Sequence, residues 1–272
     1  MSHYAVMGNP ISHSKSPFIH RLFADQTSQR MTYIPILVGL NDLESALSEF
    51  QKRGGQGVNI TLPFKNQAVK LVDTLSERAS RARVINTIRF EQDGSRFGDN
   101  TDGIGLVRDL CLNHHFSIAG QRVLLLGAGG AAQGVLGPLT DEQPAHLTIA
   151  NRTENKAVTL AKMFSDSSSV SAATLSDLEG HEFDLVINAS SAGLQNEAFS
   201  PPNIIFSKNS CYYDLSYGNA SRPFLQWAKQ HGATFCCNGL GMLIEQAAAS
   251  FQIWRGLQPK TCSLLKLLSS QI

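Results

Sequence analysis

The stretch Val123-Leu-Leu-Leu-Gly-Ala-Gly-Gly-Ala-Ala132 decides the fold. Its apolar run shows no alternation, which is typical of a strand buried on both faces of a parallel sheet. Three glycines follow within four positions, and a helix-compatible run continues from Ala131. The stretch therefore predicts a strand, a tight glycine turn and a helix.

The spacing Gly-x-Gly-x-x-Ala is filled by Gly127, Gly129 and Ala132. Gly127 permits the turn, Gly129 lets the backbone approach a pyrophosphate, and the small Ala132 allows the helix to pack closely on the strand. The start of the helix then presents free N–H groups and a partial positive charge to phosphates. Glycine turns also connect strands to helices for purely structural reasons, but this context favours dinucleotide binding.

Basic residues follow the second strand of this predicted domain. An NAD enzyme normally places Asp or Glu about 20 residues beyond the glycine turn, where it accepts from the adenosine ribose. Here the nearest acid, Glu154, lies past the expected strand end, whereas Arg152 stands where a 2′-phosphate would lie and Lys156 follows one helical turn later. Because guanidinium suits phosphate geometry, the sequence favours NADP over NAD, although Arg152 could also be a solvated loop residue.

Strand and helix patterns alternate along both halves of the chain, which predicts an α/β fold with two domains. In the first half we expect strands near residues 4–7, 31–38 and 57–61, a helix through 64–75, and a hairpin of 84–90 with 96–98. Ser16 is expected to cap the first helix. From 123 onward, strands near 123–127, 146–150, 184–189, 211–215 and 233–237, with a weaker one at 169–173, predict a doubly wound parallel sheet. We expect residues 1–101 and 239–272 to form an α/β substrate domain completed by C-terminal helices, and 102–238 to form a Rossmann-type domain.

Composition narrows the class of protein. Lys and Arg total 23 against 22 Asp and Glu in 272 residues, so the charge gives no indication of a nucleic-acid partner. The five cysteines show no C-x-x-C spacing, and we expect no metal site and a reducing, cytoplasmic environment. No apolar run approaches the roughly 20 residues that cross a bilayer. The expected partner is a small molecule, and the oligomeric state stays open between monomer and homodimer.

Two charged residues of the first half are candidates for chemistry. Lys65 lies near a predicted helix start, where a cation is unfavourable against the helix dipole. Asp102 lies among polar residues and could equally be a helix cap. Reducing a carbonyl requires a hydride donor and a group that protonates the alkoxide, and a Lys–Asp pair could share that proton.

Neutral polar residues recur in the loops of the same half. Each alone is more typical of a cap or a turn, but together they fit a small polyhydroxylated molecule held in one orientation. They are Ser14, Ser16, Asn59, Thr61 and Asn86.

Short motifs rich in polar residues and glycine occur along nearly the whole chain. They are Gly8-Asn-Pro-Ile-Ser-His-Ser-Lys-Ser-Pro17, Asn59-Ile-Thr-Leu-Pro-Phe-Lys65, Val84-Ile-Asn-Thr87, Asp99-Asn-Thr-Asp-Gly103, Gly127-Ala-Gly-Gly-Ala131, Asn151-Arg-Thr153, Asn188-Ala-Ser-Ser-Ala-Gly193, Tyr213-Asp-Leu-Ser-Tyr217 and Gly239-Leu-Gly-Met-Leu-Ile-Glu-Gln246. In this order they resemble the motifs of the shikimate dehydrogenase family.

The resemblance implies reversible, NADP(H)-dependent reduction of 3-dehydroshikimate to shikimate, in the pathway to chorismate and aromatic amino acids. It implies that Lys65 and Asp102 are the catalytic pair. The substrate-binding residues that it implies are Ser14, Ser16, Asn59, Thr61, Asn86, Tyr217 and Gln246. The cofactor-binding residues that we expect are Gly127, Ala128, Gly129, Gly130, Ala131, Asn151, Arg152, Thr153 and Lys156, with Ser190, Gly239 and Met242 near the nicotinamide.

Two positions depart from the family pattern. Asn238 precedes Gly239 where the family usually has Asp, and Lys156 stands where a second Arg is common. Because lysine cannot form a bidentate pair of hydrogen bonds with a phosphate, the preference for NADP over NAD could be weaker.

Three alternatives remain. Quinate is one alternative substrate, although members accepting quinate often carry Thr where this chain has a substrate-site Ser. The second alternative is a non-catalytic NADP-responsive binding protein on the same scaffold. Such a protein should have lost Lys65 or Asp102, and both are present in this chain. A folate-type dehydrogenase would have no obvious use for Ser14 and Ser16.

Overall fold

A computed structural model of the chain describes residues 1–164, 169–190 and 202–269. They form two compact units: unit 1 comprises Met1–Gly105 and residues 243–269, and unit 2 comprises Leu106–Met242. The boundaries expected from the sequence, after residues 101 and 238, fall slightly before these, so Asp102 belongs to unit 1. None of the helices in the described part of the chain is long and apolar enough to cross a membrane.

Unit 1 contains a mixed six-stranded sheet with the order β2-β1-β3-β5-β6-β4. Its strands are β1 (Ser2–Gly8), β2 (Met31–Leu37), β3 (Gly55–Ile60), β4 (Thr74–Leu75), β5 (Thr87–Phe90) and β6 (Arg96–Asp99). β1 lies parallel to β2 and β3, whereas β5 is antiparallel to both β3 and β6. The predicted hairpin of β5 and β6 is therefore present.

Five helices are interspersed with these strands or follow them. They are α1 (Ser16–Gln26), α2 (Leu43–Lys52), α3 (Lys65–Ala68), α4 (Glu77–Ala82) and α5 (Asp102–Arg108), and α5 begins in unit 1 and ends in unit 2. Two expectations are wrong. The helix predicted through residues 64–75 ends early, because Thr74 and Leu75 pair with β6 instead. Ser16 is the first helical residue, and Lys15 is the N-cap.

Unit 2 contains a parallel sheet of six strands with the order β12-β11-β10-β7-β8-β9. Its strands are β7 (Arg122–Leu126), β8 (His146–Ala150), β9 (Val170–Ala173), β10 (Glu182–Asn188), β11 (Ile205–Asp214) and β12 (Phe235–Asn238). With β7 counted first, this is the strand order of a doubly wound dinucleotide-binding sheet. The predicted fold class is confirmed.

Apolar layers pack on both faces of the unit 2 sheet. Leu125 and Ile187 belong to one buried cluster, and Leu124 and Val186 belong to another. Each fully buried side chain of this size contributes roughly 1.5–3 kcal/mol to folding. The helices that follow α5 are α6 (Gly130–Asp141), α7 (Glu154–Lys162), α8 (Arg222–Gln230), α9 (Leu240–Arg255) and α10 (Cys262–Ser269).

The C-terminal part of α9 completes unit 1. Trp254 donates its indole N–H to the carbonyl of Ile88 in β5 at 3.0 Å, and its ring stacks on Tyr4 of β1 at 4.7 Å between centroids. The helical residues from Leu243 to the end of α9 therefore belong to unit 1.

Candidate active site

An ion pair lies at the centre of the polar cluster in unit 1. Lys65 begins α3 and Asp102 begins α5, and Lys65 Nζ lies 2.5 Å from Asp102 Oδ2. The two side chains are only 13% and 6% exposed. Because water screens such a pair poorly, the attraction between the two charges is stronger than it would be at the surface.

The second oxygen of Asp102 is also engaged. Asn86 donates its side-chain N–H to Asp102 Oδ1 at 2.9 Å. The backbone N–H of Asp102 donates to Asn100 Oδ1 at 3.0 Å. The carboxylate of Asp102 thus faces Lys65 and Asn86, while Asn100 provides the side-chain oxygen at the start of α5.

Asn86 and Ser250 connect this pair to α9. Asn86 Nδ2 lies 3.2 Å from Gln246 Oε1 and 2.8 Å from Thr101 Oγ1. Ser250, which is fully buried, lies one helical turn after Gln246, and its hydroxyl is 3.2 Å from Thr101 Oγ1 and 3.0 Å from Asn59 Nδ2. Two strand ends, the starts of α3 and α5, and α9 therefore meet in one hydrogen-bonded network.

Tyr33 of β2 extends the network toward the serines of the first loop. Its hydroxyl donates to Asn59 Oδ1 at 2.7 Å and also hydrogen-bonds Ser16. Burial raises the pKa of Tyr33 well above its ordinary value, so the hydroxyl keeps its proton. The ring of His20 stacks on Tyr33 at 4.2 Å, and burial lowers the pKa of His20 to about 3, which keeps this imidazole neutral.

The remaining candidates of unit 1 lie beside this network. Ser14 Oγ accepts from the backbone N–H of Ser16 at 3.3 Å. Thr61 follows β3, and its backbone N–H donates to the carbonyl of Met7 at 3.0 Å. Both side chains are partly exposed.

Sequence reasoning missed Tyr33, Thr101 and Ser250 as members of the network. Ser250 follows Gln246 by four positions, and this helical spacing was a signal that both share one face of α9. Tyr33 gave no such local signal, because the pairing of β2 with β1 brings it to the cluster.

In unit 2, the glycine turn connects β7 to α6 as the sequence predicts. Gly127 has φ +109°, and a Cβ there would lie 2.9 Å from the backbone carbon of Ala189, so only glycine fits. Gly129 differs, because its φ is −91° and a Cβ there would meet nothing within 4 Å. The protein itself therefore does not require glycine at 129, whereas a phosphate that approaches this backbone would.

The predicted 2′-phosphate residues lie at the end of β8. Arg152 and Lys156 are exposed, on either side of Thr153, which is the N-cap of α7. Asn151 donates its side-chain N–H to the carbonyl of Thr153 at 2.9 Å and so holds this loop. Open glycine backbone, a helix start and exposed cations form a donor set that fits a phosphorylated dinucleotide.

Residues predicted near the nicotinamide follow the ends of β10 and β12. Ser190 donates its hydroxyl to Asn188 Oδ1 at 2.7 Å; residues 191–193 of the same motif lie outside the described residues. The backbone N–H of Gly239 donates to the carbonyl of Ser216 at 2.8 Å, and a Cβ at 239 would overlap the carbonyl of Leu215. Met242 is buried in the first turn of α9.

Two further groups lie at these strand ends. Asp214 accepts from Asn188 Nδ2 at 2.8 Å, and burial raises the pKa of this carboxyl to about 6. Tyr217 belongs to unit 2, where it is the N-cap of a short 3-10 turn, whereas the other six substrate-binding candidates belong to unit 1.

Comparisons with known proteins identify the family of the chain. Family models described as the shikimate dehydrogenase substrate binding domain, shikimate / quinate 5-dehydrogenase and the shikimate 5′-dehydrogenase C-terminal domain match residues 6–88, 110–198 and 239–261. A shikimate dehydrogenase (NADP(+)) of Nitrosomonas europaea is 47% identical over 272 residues, which are 100% of this chain and 98% of the relative.

Solved structures give the same result. Shikimate 5-dehydrogenase from Thermus thermophilus in complex with NADP(H) and shikimate is 30% identical, with a TM-score of 0.86 and 100% of both chains covered. An Ael1 enzyme from Pseudomonas putida is 42% identical, with a TM-score of 0.90 and 98% of both chains covered. The identity, the coverage and the matching order of the motifs together show that the chain belongs to the shikimate dehydrogenase family.

Proposed function

We propose that this enzyme reduces 3-dehydroshikimate to shikimate with NADPH, reversibly, in the pathway to chorismate and aromatic amino acids. The observation that carries the proposal is the nearly buried Lys65–Asp102 pair, 2.5 Å apart, within a network of amide and hydroxyl groups. When bound, NADPH supplies a hydride to the carbon of the ring ketone. The chain itself must then supply a proton to the ketone oxygen.

Lys65 and Asp102 handle that proton. The Lys65 ammonium donates a hydrogen bond and then a proton to the ketone oxygen as it becomes an alkoxide, and the neighbouring carboxylate stabilises the ammonium before the transfer. In the direction of oxidation the same pair accepts the hydroxyl proton. Asn86 holds Asp102 Oδ1 and so limits rotation of the carboxylate.

The other candidate residues bind and orient. Polar groups that bind the substrate's hydroxyls and carboxylate are Ser14, Ser16, Asn59, Thr61, Asn86, Tyr217 and Gln246. The cofactor's phosphates are held by the backbone of Gly127, Ala128, Gly129, Gly130 and Ala131, and its 2′-phosphate by Asn151, Arg152, Thr153 and Lys156. The nicotinamide end is held by Ser190, Gly239 and Met242.

The substitution Lys65→Ala tests the catalytic assignment. We expect kcat to fall by about 10²- to 10⁴-fold, the usual contribution of a positioned acid or base, while the KM values for NADPH and 3-dehydroshikimate change little. Steady-state kinetics of purified protein measures both. Lys70→Ala removes an exposed lysine from the same segment and is the matched control. A Lys65→Ala variant with unchanged kcat would refute the assignment.

Quinate is the second candidate substrate, because the family description that matches residues 110–198 names both compounds. Oxidation of shikimate and of quinate, each with NADP⁺ and with NAD⁺, distinguishes the candidates. We expect the highest kcat/KM for shikimate with NADP⁺. A higher kcat/KM for quinate would reassign the substrate.

We also propose that the enzyme works in the cytoplasm, which fits its five free cysteines. The expected oligomeric state of the enzyme is a monomer or a homodimer. Light scattering during gel filtration measures the mass, and a larger assembly would contradict this expectation.

A further inference from the structure

Asp109 in unit 2 is a fully buried carboxylate outside the set of residues predicted from the sequence. Its Oδ2 accepts a hydrogen bond from the hydroxyl of Tyr213 at 2.6 Å, and its Oδ1 accepts from Asn113 Nδ2 at 2.8 Å. His114 Nε2 lies 3.5 Å from Oδ2. A buried carboxylate is costly unless it is hydrogen-bonded in this way, so the arrangement is specific.

The contacts of Asp109 lead to the first turn of α9. Tyr213 accepts a hydrogen bond from the backbone N–H of Met242 while it donates to Asp109. A Cβ at Gly241 would overlap Asp109 Oδ1, so the carboxylate lies directly against this glycine. The N–H of Leu240 donates to Asn238 Oδ1 at 3.0 Å. Asn238 and Tyr213 therefore bond two N–H groups of the helix start, and Asp109 lies against the glycine between them.

The Tyr213 hydroxyl has only one orientation in this arrangement. Burial raises its pKa well above the ordinary value, so the proton stays on the oxygen and points to Asp109. The lone pair of the Tyr213 oxygen then accepts from the backbone N–H of Met242. Because the Tyr213 hydroxyl donates to a carboxylate, its oxygen is a stronger acceptor. Removing Asp109 should therefore weaken the contact between Tyr213 and Met242 as well.

We propose that Asp109, acting through Tyr213, is a positioning residue that fixes the first turn of α9 for the nicotinamide end of NADP(H). This inference rests on the proposed function, in which Gly239 and Met242 hold that end. The adenosine end depends on other residues, the turn at Gly127 and the side chain of Arg152. Loosening the first turn of α9 should therefore weaken binding of the nicotinamide half and leave the adenosine half unaffected.

The test compares NADPH with adenosine 2′,5′-bisphosphate, which carries the adenosine half alone. For Tyr213→Phe and Asp109→Asn, we expect the Kd of NADPH to rise about tenfold, the effect of one hydrogen bond, and the Kd of the bisphosphate to stay within about twofold. Titration calorimetry measures both. The control is Tyr212→Phe, which removes a hydroxyl from the preceding residue of β11, in the other core cluster, and should bind both ligands normally.

Further variants keep the proposal testable if Asp109→Asn is unstable. Gly241→Ala forces a Cβ toward Asp109 and should reproduce the selective loss of NADPH affinity. In the double variant Gly241→Ala/Asp109→Ala the overlap is removed, so the loss of NADPH affinity should be smaller. Unchanged NADPH binding in Tyr213→Phe, or equal losses for both ligands, would overturn the proposal. If the wild-type chain itself binds no NADPH, the proposed function fails first; normal wild-type binding with unaltered variants overturns this inference alone.

Discussion

Two helices of unit 2 begin in opposite ways. At the start of α6 the N-cap residue is Gly129, which has no side chain to bond the helix N–H groups, and a Cβ there would have open space around it. At the start of α9 the N–H groups of Leu240 and Met242 are bonded to Asn238 and Tyr213.

The difference indicates two roles for the same element. Free N–H groups with a partial positive charge attract an anion, so the start of α6 suits a pyrophosphate. A helix start whose N–H groups already have protein partners offers little to an anion, but its position is well defined. The start of α9 therefore suits the support of a ring that carries no negative charge and whose orientation matters for hydride transfer.

Gly129→Ala is the largest perturbation that we expect at the open helix start. The methyl group would lie where the phosphate approaches, and overpacking costs roughly 1–3 kcal/mol, so the Kd of NADPH should rise up to about 100-fold. Because φ is −91° at this residue, the folded protein should tolerate alanine. Calorimetric titration with NADPH and a thermal melt measure the two effects.

Gly127→Ala is the contrasting variant of the same turn. A positive φ of 109° and the nearby backbone of Ala189 make alanine unfavourable in the protein itself, by roughly 1–3 kcal/mol. Its melting temperature should fall, whereas that of Gly129→Ala should not. If Gly129→Ala bound NADPH normally, the open helix start would not be the phosphate site.

Arg152→Ala should have the next largest effect. A charge-assisted hydrogen bond contributes roughly 1.5–3 kcal/mol, so the KM of NADPH should rise about 10- to 100-fold while that of NADH stays constant. Kinetics with both cofactors measures the change in preference. Lys162→Ala, at the far end of α7, is the control. Equal effects on both cofactors would mean that Arg152 does not contact the 2′-phosphate.

The smallest effect is expected from His114→Gln, beside the fixed helix start. Hydrogen bonds to Asp109 and Cys237 raise the pKa of His114 from 6.5 to about 10. The charged imidazole therefore stabilises the fold fully below pH 6.5, and this contribution disappears as pH rises through about 10.

The variant should melt about 2–4 °C below the wild type at pH 6, which corresponds to about 1 kcal/mol, and the gap should shrink by about pH 9.5. Thermal melts across this range measure the gap. A gap that does not change with pH would show that the charge of His114 does not support the cluster.

These two helix starts also differ in how far the sequence reveals them. The glycine turn was predictable because its strand, turn and helix are contiguous, and the spacing of Gly127, Gly129 and Ala132 reports local geometry. The Asp109–Tyr213–Met242 connection was not, because it joins three elements far apart in the chain. Strand register, which places Tyr213 opposite Cys237, determines that contact.

The same distinction applies to unit 1. The apolar residues through 64–75 have helical spacing, yet the chain leaves the helix and Thr74 pairs with Phe97. Tertiary pairing overrides local periodicity there. Lys65 and Asp102 were suggested by their chemistry and by the family resemblance. The hydrogen bonds that join Tyr33 and Ser250 to Asn59 depend on tertiary packing, which no local sequence pattern indicates.

The division of unit 1 into two stretches of sequence has a consequence for biosynthesis. Its sheet is translated early, but the Trp254 side chain that bonds Ile88 and stacks on Tyr4 emerges only after all of residues 106–242. Because unit 2 is one continuous stretch of sequence, it can fold during translation. The sheet of unit 1 can be completed only after α9 has been synthesised. We therefore expect nascent chains halted just after Met242 to contain a folded unit 2 and an incomplete unit 1, whose exposed apolar surface would bind chaperones.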